Sequence, residues 1–273
     1  MELTDKVIVV TGAAGGIGSA CAMRFAAEHP RVVVCADLDL AGSEAVAASV
    51  NAALGGDTAV AIARRCDVGR EASVQAVIEE ITAAYGTIDI YFANAGVAVG
   101  AGPLDGDDAW DRAWRINTMA HVWAARHLLP AWLDRGEGYL VTTASMAGIL
   151  TSLGDAAYAA TKHAAVGFAE WMAITYRDSG VRVSVLCPGG INTAMLAGSI
   201  GDPEKASQLI GGGEVKEPAE VADIVVAGIR AEATLLMTHP DMTSFMERKV
   251  ADHSRWVGGM SRLWQRQRHL LEG

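Results

Sequence analysis

The chain has 273 residues, 51% of them apolar, and is long enough to bury the core of one large α/β domain. It carries 22 lysines and arginines against 32 aspartates and glutamates, and the net charge of −10 argues against nucleic acid or an anionic membrane as a partner. The apolar blocks are too short for a membrane span, and the first residues lack the pattern of a signal peptide. These features favour a cytoplasmic protein.

Strand-like and helix-like segments alternate through the first half of the chain. Short runs rich in valine and isoleucine predict strands, and longer segments predict helices. In chain order the predictions are a strand at 6–11, a helix at 16–28, a strand at 32–37, a helix at 41–53, a strand at 58–66 and a helix at 71–85.

The second half continues the alternation and predicts the fold. Its elements are a strand at 88–94, a helical stretch at 110–135, a strand at 139–144, a helix at 156–178, a strand at 181–187 and a last strand at 235–238. Such alternation is typical of a parallel sheet with helices on both faces. We therefore predict a Rossmann-type doubly wound α/β fold of about seven strands.

A glycine-rich turn from Gly12 to Gly18 follows the first strand and opens the first helix. Glycines let the backbone turn tightly and bring N–H groups and the helix N-terminus against a pyrophosphate. Asp37 follows Gly18 by 19 residues, at the end of the second strand, where an acidic residue binds the adenosine ribose hydroxyls. Its carboxylate would repel a 2′-phosphate, and the adjacent Leu38 supplies no cation. The pattern predicts NAD rather than NADP, unless Asp37 is only a solvated loop carboxylate.

Tyr158 and Lys162 lie four residues apart on a predicted helix, and Ser145 lies 13 residues before Tyr158. A tyrosine alone is a poor base because its ordinary pKa is about 10. A lysine one helical turn away favours the phenolate, so we expect Lys162 to lower the pKa of Tyr158 and to form a proton shuttle with it. The alternatives are a strand-end hydroxyl for Ser145 and a solvated helix face for Lys162.

Together these motifs resemble those of the short-chain dehydrogenase/reductase family over residues 4–238. The resemblance implies an NAD-dependent member with a C-terminal extension and a catalytic set of Asn117, Ser145, Tyr158 and Lys162. Tyr158 would exchange the proton with the substrate, Ser145 would hold the substrate oxygen, and Lys162 would act on Tyr158 and bind the nicotinamide ribose. Asn117 would hold a water that joins Lys162 to solvent, and the alternative for Asn117 is a helix irregularity.

The resemblance also implies a set of cofactor contacts at the ends of the strands. It assigns Asp67 and Val68 to the adenine, the segment from Asn94 to Gly96 to stabilising the central sheet, and the segment after Pro188 to the nicotinamide. The matching positions are Gly12, Gly15, Gly16, Ile17, Gly18, Asp37, Leu38, Asp67, Val68, Asn94, Ala95, Gly96, Tyr158, Lys162, Pro188, Gly189, Ile191 and Thr193.

The chain divides into a predicted catalytic domain at 1–238 and a helical extension at 239–273. Residues 190–217 are rich in glycine, including the run 211–213, and are predicted to be a substrate lid. The alternative for this segment is a permanently ordered surface loop. The extension has apolar residues at near-helical spacing and is expected to pack on the domain or on a neighbouring subunit.

The expected reaction is the oxidation of a secondary alcohol, or the reverse reduction of a ketone, on a small to medium apolar substrate that is cyclic, aromatic, terpenoid or steroid-like. A dinucleotide-binding redox sensor and an NAD-dependent isomerase or dehydratase are the alternatives.

The four cysteines and the histidines show no metal-binding pattern, so no metal is expected and His121, His127 and His163 receive no role. A homo-oligomer is expected, with a tetramer favoured over a dimer.

Overall fold

Seven parallel strands form one sheet. The computed structural model describes residues 1–54, 60–200 and 214–268. The strands are Val7–Thr11 (β1), Val32–Asp37 (β2), Ala61–Arg65 (β3), Ile90–Ala93 (β4), Gly138–Thr143 (β5), Val181–Cys187 (β6) and Leu235–Met237 (β7). Their order across the sheet is β3-β2-β1-β4-β5-β6-β7. It reverses between β1 and β4, which in such sheets opens a crevice at the carboxyl ends of the strands. The predicted fold class is confirmed.

The central strands are buried on both faces, and their side chains alternate between two apolar cores. In β1, Val7 and Val9 belong to one core cluster, whereas Ile8 and Val10 belong to the other. A parallel sheet covered by helices on both sides requires this continuous apolar pattern, because neither face meets water. The β-branched residues that fill these runs also suit the pleated backbone.

Ten α-helices surround the sheet in the described part of the chain. They are Gly16–Ala26 (α1), Leu40–Leu54 (α2), Glu71–Tyr85 (α3), Asp107–Trp114 (α4), Ala120–Arg135 (α5), Ala156–Tyr176 (α6), Ala194–Ile200 (α7), Pro218–Ala231 (α8), Met242–Ala251 (α9) and His253–Gln267 (α10).

The predicted helical stretch at 110–135 is two α-helices joined by a π-helical turn, Arg115–Met119. Its tryptophans divide accordingly: Trp123 and Trp132 are buried in the core, whereas Trp114 is 46% exposed. The third strand begins at Ala61 rather than at residue 58, and residues 58 and 59 lie outside the described residues.

The chain after β7 is tied to the rest of the domain at its first helix, and a local cap starts its second. Met242 is 1% exposed and belongs to one of the two core clusters. Asp252 separates α9 from α10, and its side chain accepts a hydrogen bond from the N–H of Arg255 at 2.9 Å, which caps α10. The near-helical spacing in the sequence therefore corresponds to two helices rather than one.

The two ends of the predicted lid are joined to each other. Ile191 pairs with Lys216 in a parallel bridge, in which the N–H of Asn192 donates to the Lys216 carbonyl at 2.9 Å and the Lys216 N–H donates to the Gly190 carbonyl at 3.0 Å. Residues 201–213 of the predicted lid lie outside the described residues.

All four cysteines are free and buried, as expected for small apolar side chains. Across the three described ranges, no group of three or more His, Cys, Asp or Glu residues is arranged to hold a metal ion. No helix in those ranges has the length and apolar character that crossing a bilayer requires.

Candidate active site

The glycine-rich turn carries the backbone from β1 into α1 at the switch point of the sheet. Gly12 has a φ of 68°, which favours glycine, and a side chain on Gly18 would collide with the carbonyl of Gly12. Among the described residues no side chain caps the N-terminus of α1, and no acidic residue lies in its first turn. This helix end, with Gly15 as its N-cap, therefore presents N–H groups suited to an anion.

Asp37 lies at the end of β2, facing the same turn. Its Oδ2 accepts a hydrogen bond from the N–H of Ala14 at 3.0 Å, and its Oδ1 accepts one from the N–H of Asp39 at 3.0 Å. Leu38 beside it is 56% exposed. The carboxylate is therefore held against the glycine-rich turn, and two backbone donors fix its orientation.

Asp67 and Val68 follow β3, which ends beside β2. The N–H of Cys66 donates to the carbonyl of Asp37 at 2.7 Å, and this bond keeps the two strand ends together. The Asp67 carboxylate accepts from the N–H of Gly69 at 3.0 Å, and Val68 is buried. The structure thus brings the residues predicted to contact the adenine next to the residue predicted to contact its ribose.

Asn94 joins the turn to the middle of the sheet. Its N–H donates to Thr11 Oγ1 at 3.0 Å, and its Nδ2 donates to the Thr11 carbonyl at 3.1 Å. Its Oδ1 accepts from Thr143 Oγ1 at 3.2 Å. The next two residues continue the contact, because the Ala95 N–H donates to Thr11 Oγ1 at 3.3 Å and Gly96 lies against Lys162 and Asn117.

Ser145, Tyr158 and Lys162 meet beyond the carboxyl ends of β5 and β6. Ser145 follows β5, and its Oγ accepts from the N–H of Ala147 at 3.1 Å. Asp155 caps α6 by accepting from the N–H of Tyr158 at 2.9 Å, which places Tyr158 in the first turn. Lys162 is 2% exposed, and its Nζ lies 5.6 Å from the centroid of the Tyr158 ring. A solvated helix face is therefore wrong for Lys162.

The pKa values of this pair differ from the expectation. Burial raises the pKa of Tyr158, while a side-chain hydrogen bond to Ser145 acts in the opposite direction. Burial lowers the pKa of Lys162 to about 8, because the ammonium loses its hydration. The Lys162 Nζ donates to the carbonyl of Thr143 at 2.8 Å rather than to the phenol. Loss of hydration therefore decides the direction of the shift, and the expected lowering of the Tyr158 pKa by Lys162 is wrong for the protein alone.

Asn117 lies in the π-helical turn and is fully buried. Its Oδ1 accepts from the N–H of Val97 at 2.9 Å, and its Nδ2 donates to the Val97 carbonyl at 2.9 Å and to Thr161 Oγ1 at 3.1 Å. The side-chain amide is thus occupied by the chain itself. It fixes the loop after β4 against α6. Its partners are protein groups, so these contacts do not support the expectation that this amide holds a water.

The segment after β6 returns to the glycine-rich turn. The Pro188 carbonyl accepts from the N–H of Met146, at 2.8 Å, next to Ser145. Thr193 contacts Gly16, and the two residues line a cleft of about 530 Å³ that runs between α1 and the start of α8. The predicted nicotinamide segment therefore lies between the Ser145 turn and the helix N-terminus.

Two histidines, His239 and His121, lie beside this site. The ring of His239 packs against Gly189, with Nδ1 2.7 Å from Thr238 Oγ1 and Nε2 2.9 Å from the Glu214 carbonyl. His121 is 1% exposed, and neither ring nitrogen has a hydrogen-bond partner among the described residues. Burial, with a smaller contribution from Lys162, lowers the pKa of His121 to about 3, so its ring is neutral. In the sequence, the one feature that could have linked His121 to this site is its position one helical turn after Asn117.

Comparisons with known proteins agree with this geometry. A family model described as short chain dehydrogenase matches residues 6–203. The 1-deoxy-11-beta-hydroxypentalenate dehydrogenase of Streptomyces exfoliatus is 36% identical over 88% of this chain and 86% of its own. The cis-4-hydroxycyclohexanecarboxylate dehydrogenase of Sinomonas cyclohexanicum is 34% identical over 81% and 88%. A solved short chain dehydrogenase/reductase from Burkholderia phymatum, in complex with NAD, superposes with a TM-score of 0.82 at 27% identity and covers 93% of this chain and 96% of its own.

The buried Lys162 predicts a pH-dependent stability difference. Its pKa of about 8 lies below the ordinary 10.5, so the unfolded chain binds more protons between these values and stability rises with pH in that window. A pKa difference of one corresponds to about 1.4 kcal/mol, and the lost bond to Thr143 offsets about 1 kcal/mol of the gain. We therefore expect Lys162→Met to be roughly 2 kcal/mol more stable than the wild type at pH 7. Urea unfolding from pH 7 to 10 checks this, and a gain that does not shrink above pH 8 would contradict it.

Proposed function

We propose that this chain, which belongs to the short chain dehydrogenase family, is an oxidoreductase that transfers a hydride between NAD(H) and a secondary alcohol or ketone. The resemblance seen in the sequence is confirmed by the family match over residues 6–203. One observation carries the proposal: Ser145, Tyr158 and Lys162 converge beside an uncapped helix N-terminus at the switch point of the sheet. The names of the two relatives are those of dehydrogenases of hydroxy compounds, and they support the same reaction class.

The residues at the strand ends fit a dinucleotide. The N-terminus of α1 would hold the pyrophosphate, and the carboxylate of Asp37 would accept hydrogen bonds from the ribose hydroxyls. Asp67 and Val68 would hold the adenine, and the segment from Pro188 to Thr193 would hold the nicotinamide end. When bound, NAD supplies the carbon that accepts or donates the hydride. The similar protein from Burkholderia phymatum was solved in complex with NAD, which supports this choice of cofactor.

Tyr158 exchanges the proton with the substrate oxygen. Its raised pKa keeps the phenol protonated at neutral pH, which suits the donation of a proton to a ketone. In the oxidation, Lys162 stabilises the phenolate that forms, because a cation close to the ring favours the charged state. Ser145 donates a hydrogen bond to the same substrate oxygen and stabilises its developing charge. Asn117 positions the loop after β4 against α6 and keeps Lys162 enclosed.

The substrate is proposed to be a small to medium apolar alcohol. A ring fits best, because one relative is named for a hydroxylated cyclohexane. A redox sensor or an isomerase would need no net formation of NADH from an alcohol. A screen of cyclic, aromatic, terpenoid and steroid alcohols for NADH absorbance separates these functions, and no NADH with any of them would contradict the proposal.

The wider organisation is part of the same proposal. We propose residues 1–238 as the catalytic domain, with the lid at 190–217, and residues 239–273 as an extension that packs on it. Residues 55–59, 201–213 and 269–273 of these ranges lie outside the described residues. The chain works in the cytoplasm as a homo-oligomer, with a tetramer favoured over a dimer. The four free cysteines suit a reducing compartment. On α6, Trp171 is 54% exposed and Ile174 is 79% exposed, which suits an interface between subunits. Cell fractionation tests the location.

We expect Tyr158→Phe to abolish turnover while NADH binding stays within about twofold, because only the ionisable oxygen is removed. Lys162→Ala should impair both. Tyr176→Phe, the same change at the other end of α6, serves as the matched control and should retain full activity. Steady-state assays beside NADH titration by fluorescence check this. A Tyr158→Phe enzyme that keeps more than a few per cent of wild-type activity would remove Tyr158 from the acid and base role.

We expect NAD to be preferred over NADP by at least tenfold in kcat/KM, a discrimination of about 1.4 kcal/mol. The reason is repulsion between Asp37 and a 2′-phosphate. Asp37→Ala combined with Leu38→Arg should shift the preference toward NADP, whereas Asp39→Ala removes a nearby carboxylate and should leave it unchanged. Equal efficiency of the wild type with both cofactors would argue against the role of Asp37.

We expect Ile174→Asp to lower the mass of the particle in light scattering, because it places a charge in the proposed interface. Val250→Asp is the matched control, since Val250 on α9 is 84% exposed. It should leave the mass unchanged. A wild-type chain that is monomeric at micromolar concentration would contradict the oligomer.

A further inference from the structure

Lys249, on α9, binds the turn that follows Ser145, about a hundred residues earlier in the chain. Its Nζ donates to the carbonyls of Ile149 at 2.6 Å and of Leu150 at 2.9 Å. The ring of Trp256 from α10 lies 5.0 Å from the same ammonium. Burial lowers the pKa of Lys249. The extension therefore inserts a partly desolvated cation next to the candidate active site.

His163 accepts the third hydrogen bond of this ammonium. Its Nδ1 lies 2.8 Å from the carbonyl of Ala159, and a carbonyl oxygen can only accept, so Nδ1 carries the proton. The neutral ring then presents a lone pair on Nε2, which lies 3.5 Å from the Nζ of Lys249. The ammonium thus has an acceptor for each of its three protons, and all three belong to the β5–α6 region.

The turn held by Lys249 is the one that orients Ser145. The N–H groups of Ile149 and Leu150 both donate to the carbonyl of Met146, at 3.1 and 2.8 Å, and close a short 3-10 turn. Ser145 is the N-cap of that turn, through the bond from the Ala147 N–H to its Oγ. The carbonyls at the end of such a turn carry partial negative charge, which a cation compensates. A displacement of residues 149 and 150 at the end of this turn therefore also displaces Ser145 at its start.

We propose that Lys249 is a positioning residue for Ser145, through which the C-terminal extension aligns the serine hydroxyl with Tyr158. The inference rests on the proposed function, in which Ser145 holds the substrate oxygen. It also explains why a cation lies at this position, since an apolar side chain would leave two carbonyls and the Nε2 of His163 without a donor. The extension is then a part of the catalytic machinery rather than a passive cover.

The test is Lys249→Met in the full chain, with Arg248→Met as the matched control. Arg248 is the preceding residue on α9, and its guanidinium contacts only Phe245 and Ser244 among the contacts described for it. We expect Lys249→Met to lower kcat about tenfold, because a small misplacement of a transition-state donor is costly, and to leave the Kd for NADH unchanged. Hydrogen exchange at the amides of residues 147–150 should become faster. Lys249→Arg, which keeps the charge and the donors, should recover most of kcat.

Equal kcat and equal exchange in Lys249→Met and Arg248→Met would overturn the inference and leave the proposed function standing. A loss of thermal stability with unchanged kcat would also overturn it, since it would show a purely structural contact. If Lys249→Met does not fold, Lys249→Gln is measured against the same criteria. If the wild type forms no NADH from any alcohol, the proposed function fails, and the exchange rates alone decide whether Lys249 holds the Ser145 turn.

Discussion

The hydrogen bonds of Asn94 are the constraint on which the rest of the site depends. They join β1, β4 and β5 at the point where the strand order reverses, through the hydroxyls of Thr11 and Thr143. Thr11 precedes the glycine-rich turn, and the carbonyl of Thr143 receives the ammonium of Lys162. One amide side chain thus connects the candidate cofactor turn with the candidate proton shuttle. Because all these groups are at least half-buried, a missing partner would leave polar atoms unsatisfied in the core.

Burial has opposite effects on the two titratable groups of the site. It raises the pKa of Tyr158 and lowers that of Lys162, so both changes favour the neutral forms. At pH 7 the phenol of Tyr158 is therefore neutral, whereas Lys162, with a pKa of about 8, is still largely protonated, in surroundings where charges interact strongly. A bound substrate and cofactor would change those surroundings, and the chemistry then depends on groups that the enclosed site holds ready rather than on an ionised tyrosine in the resting protein.

The strands and the doubly wound parallel sheet could be predicted because the apolar runs are continuous and strongly β-branched, as in Val32–Asp37 and Val181–Cys187. The candidate set of Ser145, Tyr158 and Lys162 came from their spacing and from the family resemblance, and the structure brings the three together beyond the carboxyl ends of β5 and β6. The sequence offered a helix irregularity at Asn117 only as an alternative, and no local pattern reports the tertiary bonds that Asn117 makes to Val97 and Thr161 in the π-helical turn. The pKa of Tyr158 also escaped prediction, since it depends on burial. The contact of Lys249 with Ile149 joins residues 100 positions apart, a separation that no local pattern reports.

The pairing of Ile191 with Lys216 has a consequence for how such a protein can diversify. A chain segment whose two ends are joined by backbone hydrogen bonds can change in length at little cost, because each doubling of a flexible loop adds only about 0.6 kcal/mol of closure entropy. A change in the length of this segment would leave the sheet and the proton-transfer residues in place. This pair therefore marks the two points at which the corresponding segment of a related chain could be grafted while the sheet is kept.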